Sequence, residues 1–394
     1  MTVQEHGIAA GHVLLLRYLN RAAILCGQGY VTGPDIDTAM RLGCGLTTGP
    51  LTMVDEIGLD RVLELMAAAA VPPAPLLTTR AWPDRLHREP RHRTGPVAPE
   101  PVTAGAPSSV GIVGSGTMAA GIAQALVVHG LRTILVARDE ERAAAARHRV
   151  SAALDRALAR GRVTPAAAAG AAGRLRTGVL LDDLADCDLV VEAVVEEEDA
   201  KRAVFAALDR VCRPGAVLAT TTSSLSVADC AAATGRPADV VGMHFFNPAA
   251  VMRLVEVGHT PHTAARTTAV ARALARHLGK VPVSCPDRSG FIVNYLLFPY
   301  LNDAVGMVER GQAGVVELDR EMEQAHGFPM GPFALLDTIG LDVSAAILRR
   351  LHQQFGDPAT RPGPMLTRLV AEGRLGRKTG AGFHVQRPSR GAAR

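Results

Sequence analysis

The sequence predicts an α/β protein: a doubly wound, mostly parallel sheet, an all-α domain after it, and a homologous all-α unit before it. Three observations predict this. Short buried-strand patterns alternate with helical stretches between residues 109 and 289. Beyond Gly290 the strand signals stop, and the rest reads as helices broken by Gly and Pro. The chain also repeats itself. Shifted by 282 residues, positions 12–60 match 294–342 without a gap, with 17 of 49 positions identical.

The identities in the repeat cluster: Tyr18-Leu19-Asn20 with Tyr300-Leu301-Asn302, Gly49-Pro50 with Gly331-Pro332, and Ile57-Gly58-Leu59-Asp60 with Ile339-Gly340-Leu341-Asp342. Residues 1–71 are therefore expected to be a helical unit copied from the C-terminal domain. From 72 to 108 prolines recur among Arg, Thr, Ala and Gly, which predicts an extended, partly disordered linker. A nucleotide-binding sheet domain is expected over 109–289 and a helical domain over 290–394.

Within the sheet domain, Val110-Gly111-Ile112-Val113 reads as a buried strand, residues 118–130 as a helix, and Thr133-Ile134-Leu135-Val136 as a second strand. That is a β-α-β unit. Ala-rich helices are expected over 139–173. Strands follow at Leu189-Val190-Val191-Glu192-Ala193, Val217-Leu218-Ala219-Thr220-Thr221, Val240-Val241-Gly242-Met243-His244 and Leu254-Val255-Glu256-Val257, with a helix over 200–211.

Composition excludes several classes. The net charge is only +4 and aromatics are 4%, so no basic, aromatic-rich nucleic-acid surface is indicated. Cys26, Cys44, Cys187, Cys212, Cys230 and Cys285 include no C-x-x-C pair, so neither a zinc site nor a redox dithiol is expected, and reduced thiols point to a cytoplasmic protein. No signal peptide and no run long enough to span a membrane is expected.

Between the first strand and helix lies Gly114-Ser115-Gly116-Thr117-Met118-Ala119, a G-x-G-x-x-A turn. Gly114 permits the tight turn, Gly116 lets a pyrophosphate approach the backbone, and Ala119 lets the helix pack on the strand. Amides at the helix start then face the phosphates. This context predicts a Rossmann-type domain binding NAD or NADP. At the end of the second strand Ala137-Arg138 stands where a ribose-binding carboxylate is expected, with Asp139 beyond. Either Arg138 meets a 2′-phosphate, favouring NADP, or Asp139 reaches the ribose, or Arg138 stacks on the adenine.

Four further stretches, Thr220-Thr221-Thr222-Ser223-Ser224-Leu225, His244-Phe245-Phe246-Asn247-Pro248, Leu254-Val255-Glu256-Val257 and Gly290-Phe291-Ile292-Val293-Asn294, resemble the L-3-hydroxyacyl-CoA dehydrogenases, including bacterial 3-hydroxybutyryl-CoA dehydrogenases. The closing Gly376-Arg377-Lys378-Thr379-Gly380-Ala381-Gly382-Phe383 resembles them too, and the likeness spans about 109–386. It implies hydride transfer between a nicotinamide and C3 of a 3-hydroxyacyl or 3-ketoacyl thioester, without a metal. His244 would be the acid–base, Glu256 its partner, and Ser223 and Asn294 donors to the substrate oxygen. Asn247, Glu196, Lys201 and Lys378 would lie at the cofactor. Glu192 reads as structural.

The sequence departs from the family at Thr221, usually Asn, at Ala137, usually acidic, and at Arg253, usually Lys. Arg160 and Arg162 are either candidates for a CoA phosphate or solvent-facing charges, so the alternatives are an acyl-carrier-protein-bound or free hydroxyacid as substrate, or a non-catalytic nucleotide-binding scaffold. The N-terminal copy has His12 in place of Asn294 and lacks the glycine turn and the His–Glu pair, so alone it cannot catalyse. The resemblance implies a homodimer through the helical domain. The N-terminal copy would then serve as a built-in pseudo-partner, or else as a docking surface for another protein.

Overall fold

The structure, a computed structural model, describes residues 8–79, 82 and 104–385. It falls into two compact units: the sheet unit Arg93–Phe291, and a helical unit made of Met1–His92 together with Ile292–Arg394.

The chain opens with α1 (Ala10–Gly27) and α2 (Gly33–Cys44), the latter capped by Thr32, whose Oγ1 accepts from Asp35 N. α3 (Pro50–Ile57) starts on a proline, where a missing N–H costs nothing. Asp37 of α2 accepts from the amides of Leu51 and Thr52 at 2.8 and 2.9 Å. α4 (Leu59–Ala68) follows Gly58. The N-terminal unit does not stop at 71. Asn20 donates to Pro72 O at 2.9 Å and accepts from Ala74 N at 2.6 Å. Ala74, Leu76, Leu77 and Trp82 are buried, and the Trp82 indole donates to Asp55 at 2.7 Å. The rest of the expected linker up to 103 lies outside the described residues.

The sheet unit runs β1 (Ser109–Val113), α5 (Thr117–Val128), β2 (Arg132–Val136), α6 (Glu140–Ala159), α7 (Pro165–Arg174), β3 (Leu175–Gly178), β4 (Leu189–Glu192), α8 (Glu198–Val211), β5 (Val217–Thr220), α9 (Val227–Ala232), β6 (Val240–Phe245), β7 (Leu254–His259), α10 (Ala265–His277) and β8 (Val281–Pro286). The strand order is β3-β2-β1-β4-β5-β6-β7-β8, parallel except for β6–β7. The order reverses between β1 and β4, the place where such sheets bind ligands. Every residue of β1, β4 and β5 is buried, which fits their largely apolar sequences. Sequence patterning missed β3 and β8. Both are edge strands; β3 reads Leu-Arg-Thr-Gly and β8 contains Pro282 and Pro286, which an edge tolerates.

The C-terminal part adds α11 (Val293–Glu309), α12 (Val315–His326), α13 (Pro332–Ile339), α14 (Leu341–Phe355) and α15 (Pro364–Ala371). It repeats the N-terminal hydrogen bonds. Asp319 accepts from Phe333 N and Ala334 N as Asp37 does from Leu51 and Thr52. Asn302 holds Ala359 O, Arg361 O and Gly363 N as Asn20 holds 72–74. The two copies pack on each other: α1 lies on α11, α1 also meets α12, and α11 reciprocally meets α2. Tyr18 meets its own counterpart Tyr300 at a ring-centroid distance of 5.6 Å, and Arg21 meets its counterpart Asp303 at 3.3 Å. Contact between equivalent residues is the signature of a two-fold, self-complementary packing. Among the described residues, no helix is long and apolar enough to cross a membrane.

Candidate active site

The one antiparallel pairing of the sheet builds the centre of the site. Because β7 turns back beside β6, His244 and Glu256 become directly opposed partners although twelve residues apart. His244 Nδ1 lies 2.6 Å from Glu256 Oε2, and both residues are buried. Two aromatic rings hold the imidazole. Phe246 is tilted against it at 4.5 Å and Phe291 is stacked on it at 5.7 Å. Phe291 reaches that place because Gly258 has no side chain: a Cβ there would come within 2.4 Å of the ring.

A second cluster shapes the turn after β5. Glu196 Oε1 accepts from Thr222 Oγ1 (2.8 Å), Ser223 N (2.8 Å) and Ser224 N (3.0 Å), while Oε2 pairs with Lys201 at 3.2 Å. Burial alone would raise the carboxyl's pKa, but the Lys201 ammonium and these donors together hold it down, at about 2. Lys201 is 1% exposed. Burial disfavours its charge, yet Glu192 and Glu196 outweigh that and raise its pKa. Glu192, wholly buried at the end of β4, takes Lys201 Nζ at 2.9 and 3.0 Å, Thr220 Oγ1 at 2.7 Å and Val194 N at 2.8 Å. Glu192 and Thr220 are register partners in adjacent strands. Glu192 thus anchors Lys201, which steadies Glu196, which in turn fixes the backbone at Ser223.

The glycine turn sits at the C-terminal end of β1. Gly114 has φ 133°, and a Cβ on it would come within 2.3 Å of Ala193 O, so only glycine fits. Gly116 begins α5 with nothing within 4 Å of a would-be Cβ, leaving open space in front of the backbone. Ala119 is fully buried in the core, while Thr117 is exposed and Met118 half-buried. Arg149 from α6 donates to Ser115 O at 2.7 Å and pins the turn. A cavity of about 410 Å³ beside it is lined by Thr117, Gly121, Gln124, Arg149, Arg156 and Asn247 among others. Lys280 donates to Ala249 O and Met252 O at 2.6 and 2.7 Å, holding the loop that carries Asn247, and burial lowers its pKa to about 8.

After β2, Ala137 is buried with its amide on Gly178 O. Arg138 projects outward with its side chain 73% exposed. Asp139 caps α6: its carboxylate accepts from Arg142 N at 2.8 Å and pairs with the Arg142 guanidinium, and the helix amide and that cation lower its pKa. The alternative in which Asp139 reaches a ribose therefore competes with its work as a cap.

His244, Glu256, Ser223, Glu196, Lys201, Asn247 and the turn 114–119 all fall in the sheet unit. Lys201, enclosed among carboxylates, supports Glu196. Asn294 and Lys378 belong to the helical unit. Asn294 stands buried in the first turn of α11. Lys378 pairs with both oxygens of Asp342 at 2.6 and 2.5 Å, a local partner that the sequence reading did not foresee. Arg160 and Arg162 lie exposed just past α6 and do not line the cavity. Glu192 has the structural role expected of it; sequence reasoning missed Thr222, Arg149 and Lys280.

Residues 109–288 match the model of the 3-hydroxyacyl-CoA dehydrogenase NAD-binding domain. Residues 290–386, and separately 11–95, match the model of that family's C-terminal domain. Over 281 residues the chain is 44% identical to a 3-hydroxybutyryl-CoA dehydrogenase of Mycobacterium tuberculosis, covering 70% of this chain and 97% of the relative. It is 40% identical over 283 residues to the human mitochondrial hydroxyacyl-coenzyme A dehydrogenase, covering 70% and 90%. The crystal structure of (S)-3-hydroxybutyryl-CoA dehydrogenase from Ralstonia eutropha superposes with a TM-score of 0.69 at 38% identity, over 72% of this chain and all of that one.

Proposed function

The chain belongs to the 3-hydroxyacyl-CoA dehydrogenase family, and from that premise we propose that His244 and Glu256 act as its proton-transfer pair. The family's reaction is NAD-dependent interconversion of a 3-hydroxyacyl-CoA and its 3-ketoacyl form. The observation that carries the residue assignment is the buried 2.6 Å contact between His244 Nδ1 and Glu256. With Nδ1–H donated to the carboxylate, Nε2 is left as the acceptor that takes the 3-hydroxyl proton. Glu256 then stabilises the imidazolium, and in reduction the proton returns. Ser223, its amide held by Glu196, donates to the substrate oxygen as charge develops there.

The open backbone at Gly116 and the start of α5 suit a dinucleotide pyrophosphate. When bound, the nicotinamide supplies or accepts the hydride at C3. The missing carboxylate at Ala137 and the outward Arg138 favour use of NADPH beside NADH. The substrate is a short acyl thioester of (S) configuration, on CoA. The test is the oxidation of NADH and NADPH with acetoacetyl-CoA. Turnover of free hydroxyacids in place of acetoacetyl-CoA would overturn the reading.

The N-terminal copy serves as a built-in pseudo-partner. Tyr18 on Tyr300 and Arg21 on Asp303, each pair 282 residues apart, support this. The full chain is expected to scatter light as a single chain, and a variant lacking residues 1–95, with α11 uncovered, to self-associate. If truncation changes neither oligomeric state nor stability, the pseudo-partner role fails.

A further inference from the structure

We propose that His12, Glu321 and His326 form a binding site for a divalent transition cation of the zinc type, clipping the N-terminal copy to the C-terminal one. The three side chains come from α1 and α12, on opposite sides of the junction. One ligand atom from each lies within 4.8 Å of the others, with His12 Nδ1 and Glu321 Oε1 3.8 Å apart. Tetrahedral bonds of about 2.0–2.1 Å set ligand atoms roughly 3.4 Å apart, so small side-chain rotations close the site. Two imidazoles and one carboxylate are a donor set that zinc takes with a fourth position left for water.

Two polar atoms independently call for a ligand. Among the described residues, Glu321 Oε1 and His326 Nε2 are both buried and have no hydrogen-bond partner. Buried acceptors and ring nitrogens are rarely left so, because the loss of water is not repaid. The rings of His12 and His326 stand edge to face at 4.6 Å, and His12, 45% exposed, gives an ion a path from solvent.

The repeat supplies the third argument. Carried back by 282 residues, Glu321 and His326 become Ala39 and Cys44; carried forward, His12 becomes Asn294. The triad therefore exists on only one side of the two-fold junction. Gly11 differs likewise, its counterpart being Val293. A Cβ on Gly11 would lie 2.5 Å from the Glu321 carboxyl carbon, so the glycine leaves room for the carboxylate. Cysteine spacing, on which the expectation of no metal rested, cannot see ligands drawn from two copies.

The test titrates chelator-stripped full-length protein with Zn²⁺, against a chromophoric competitor, and with Co²⁺ for its visible absorption. One ion per chain is expected, with micromolar or tighter affinity, a tetrahedral-type Co²⁺ spectrum and a rise in Tm. His12→Asn, which installs the residue of the other copy, Glu321→Gln and His326→Ala should each weaken binding at least about 50-fold. Gly11→Val keeps every ligand and should weaken it too. Circular dichroism checks that each variant is folded. No stoichiometric binding to the wild-type chain, or undiminished binding in any of the three ligand variants, overturns the proposal.

Discussion

Arg21 and Asp303 stand at the same place in two copies of one helical unit, and their side chains meet at 3.3 Å across the junction between those copies. Were the copies identical, this position would place like charge against like. The sequences have diverged into a complementary pair, 14% and 12% exposed, which a single chain can encode and an identical pair cannot. Arg21→Asp should therefore destabilise the helical unit by about 2–3 kcal/mol. Exchanging both charges should recover only part of that. Arg17, 3.6 Å from Asp303, would then face the new guanidinium. Urea denaturation of the two single variants and the double variant measures the coupling; additive losses would mean the pair contributes nothing.

Geometry at His244 predicts a graded loss of rate. His244→Gln removes the acid–base group and should lower kcat at least about 10³-fold. Glu256→Gln retains an acceptor for Nδ1–H but loses the charge that stabilises the imidazolium, and should cost about 10²–10³-fold. Neither residue belongs to the glycine turn, so NADH affinity, followed by fluorescence titration, should stay within about two-fold.

Glu196 makes stability pH-dependent with a definite sign. Its carboxyl titrates at about 2, below the ordinary 4.5. The folded chain therefore binds fewer protons than the unfolded chain between those values. The stabilisation is complete above about pH 4.5 and is lost as the pH falls towards 2. With the side chain 35% exposed, screening limits the effect to roughly 1–2 kcal/mol. Chemical denaturation from pH 6 to pH 2.5 should show a steeper fall for the wild type than for Glu196→Gln. Parallel curves would show that the carboxylate does not gain from Lys201 and the 222–224 amides.

The central strands and the glycine turn were legible because each is a local pattern: largely apolar runs, and three small residues at fixed offsets; the His244–Glu256 pair was legible only through the resemblance of the motifs that carry it. What escaped was carried by edges and by distance. The strands at Leu175–Gly178 and Val281–Pro286 have only one neighbour, so their sequences keep charges and prolines. Trp82 and Leu76 looked like linker because prolines surround them, yet Asn20 and Asp55, early in the chain, hold that segment. The pairing of Lys201 with carboxylates five and nine residues upstream also escaped, because they enclose it only once strand and helix have packed.

The two glycines of the turn should separate folding from cofactor binding. Gly114→Ala places a methyl 2.3 Å from Ala193 O on a backbone with φ 133°, where an L side chain is strained. Nothing flexible lies in the way, since the obstacle is the carbonyl of the residue following β4. This variant should lose more than about 2 kcal/mol of stability and express poorly. Gly116→Ala meets nothing within 4 Å, and its φ of −74° suits alanine. It should unfold at the wild-type temperature, yet bind NADH at least about ten-fold more weakly, because its methyl occupies the approach that a pyrophosphate needs. Thermal unfolding without cofactor, paired with NADH titration, reads the two effects apart. A Gly116→Ala enzyme with undiminished NADH affinity would remove the turn from the cofactor site.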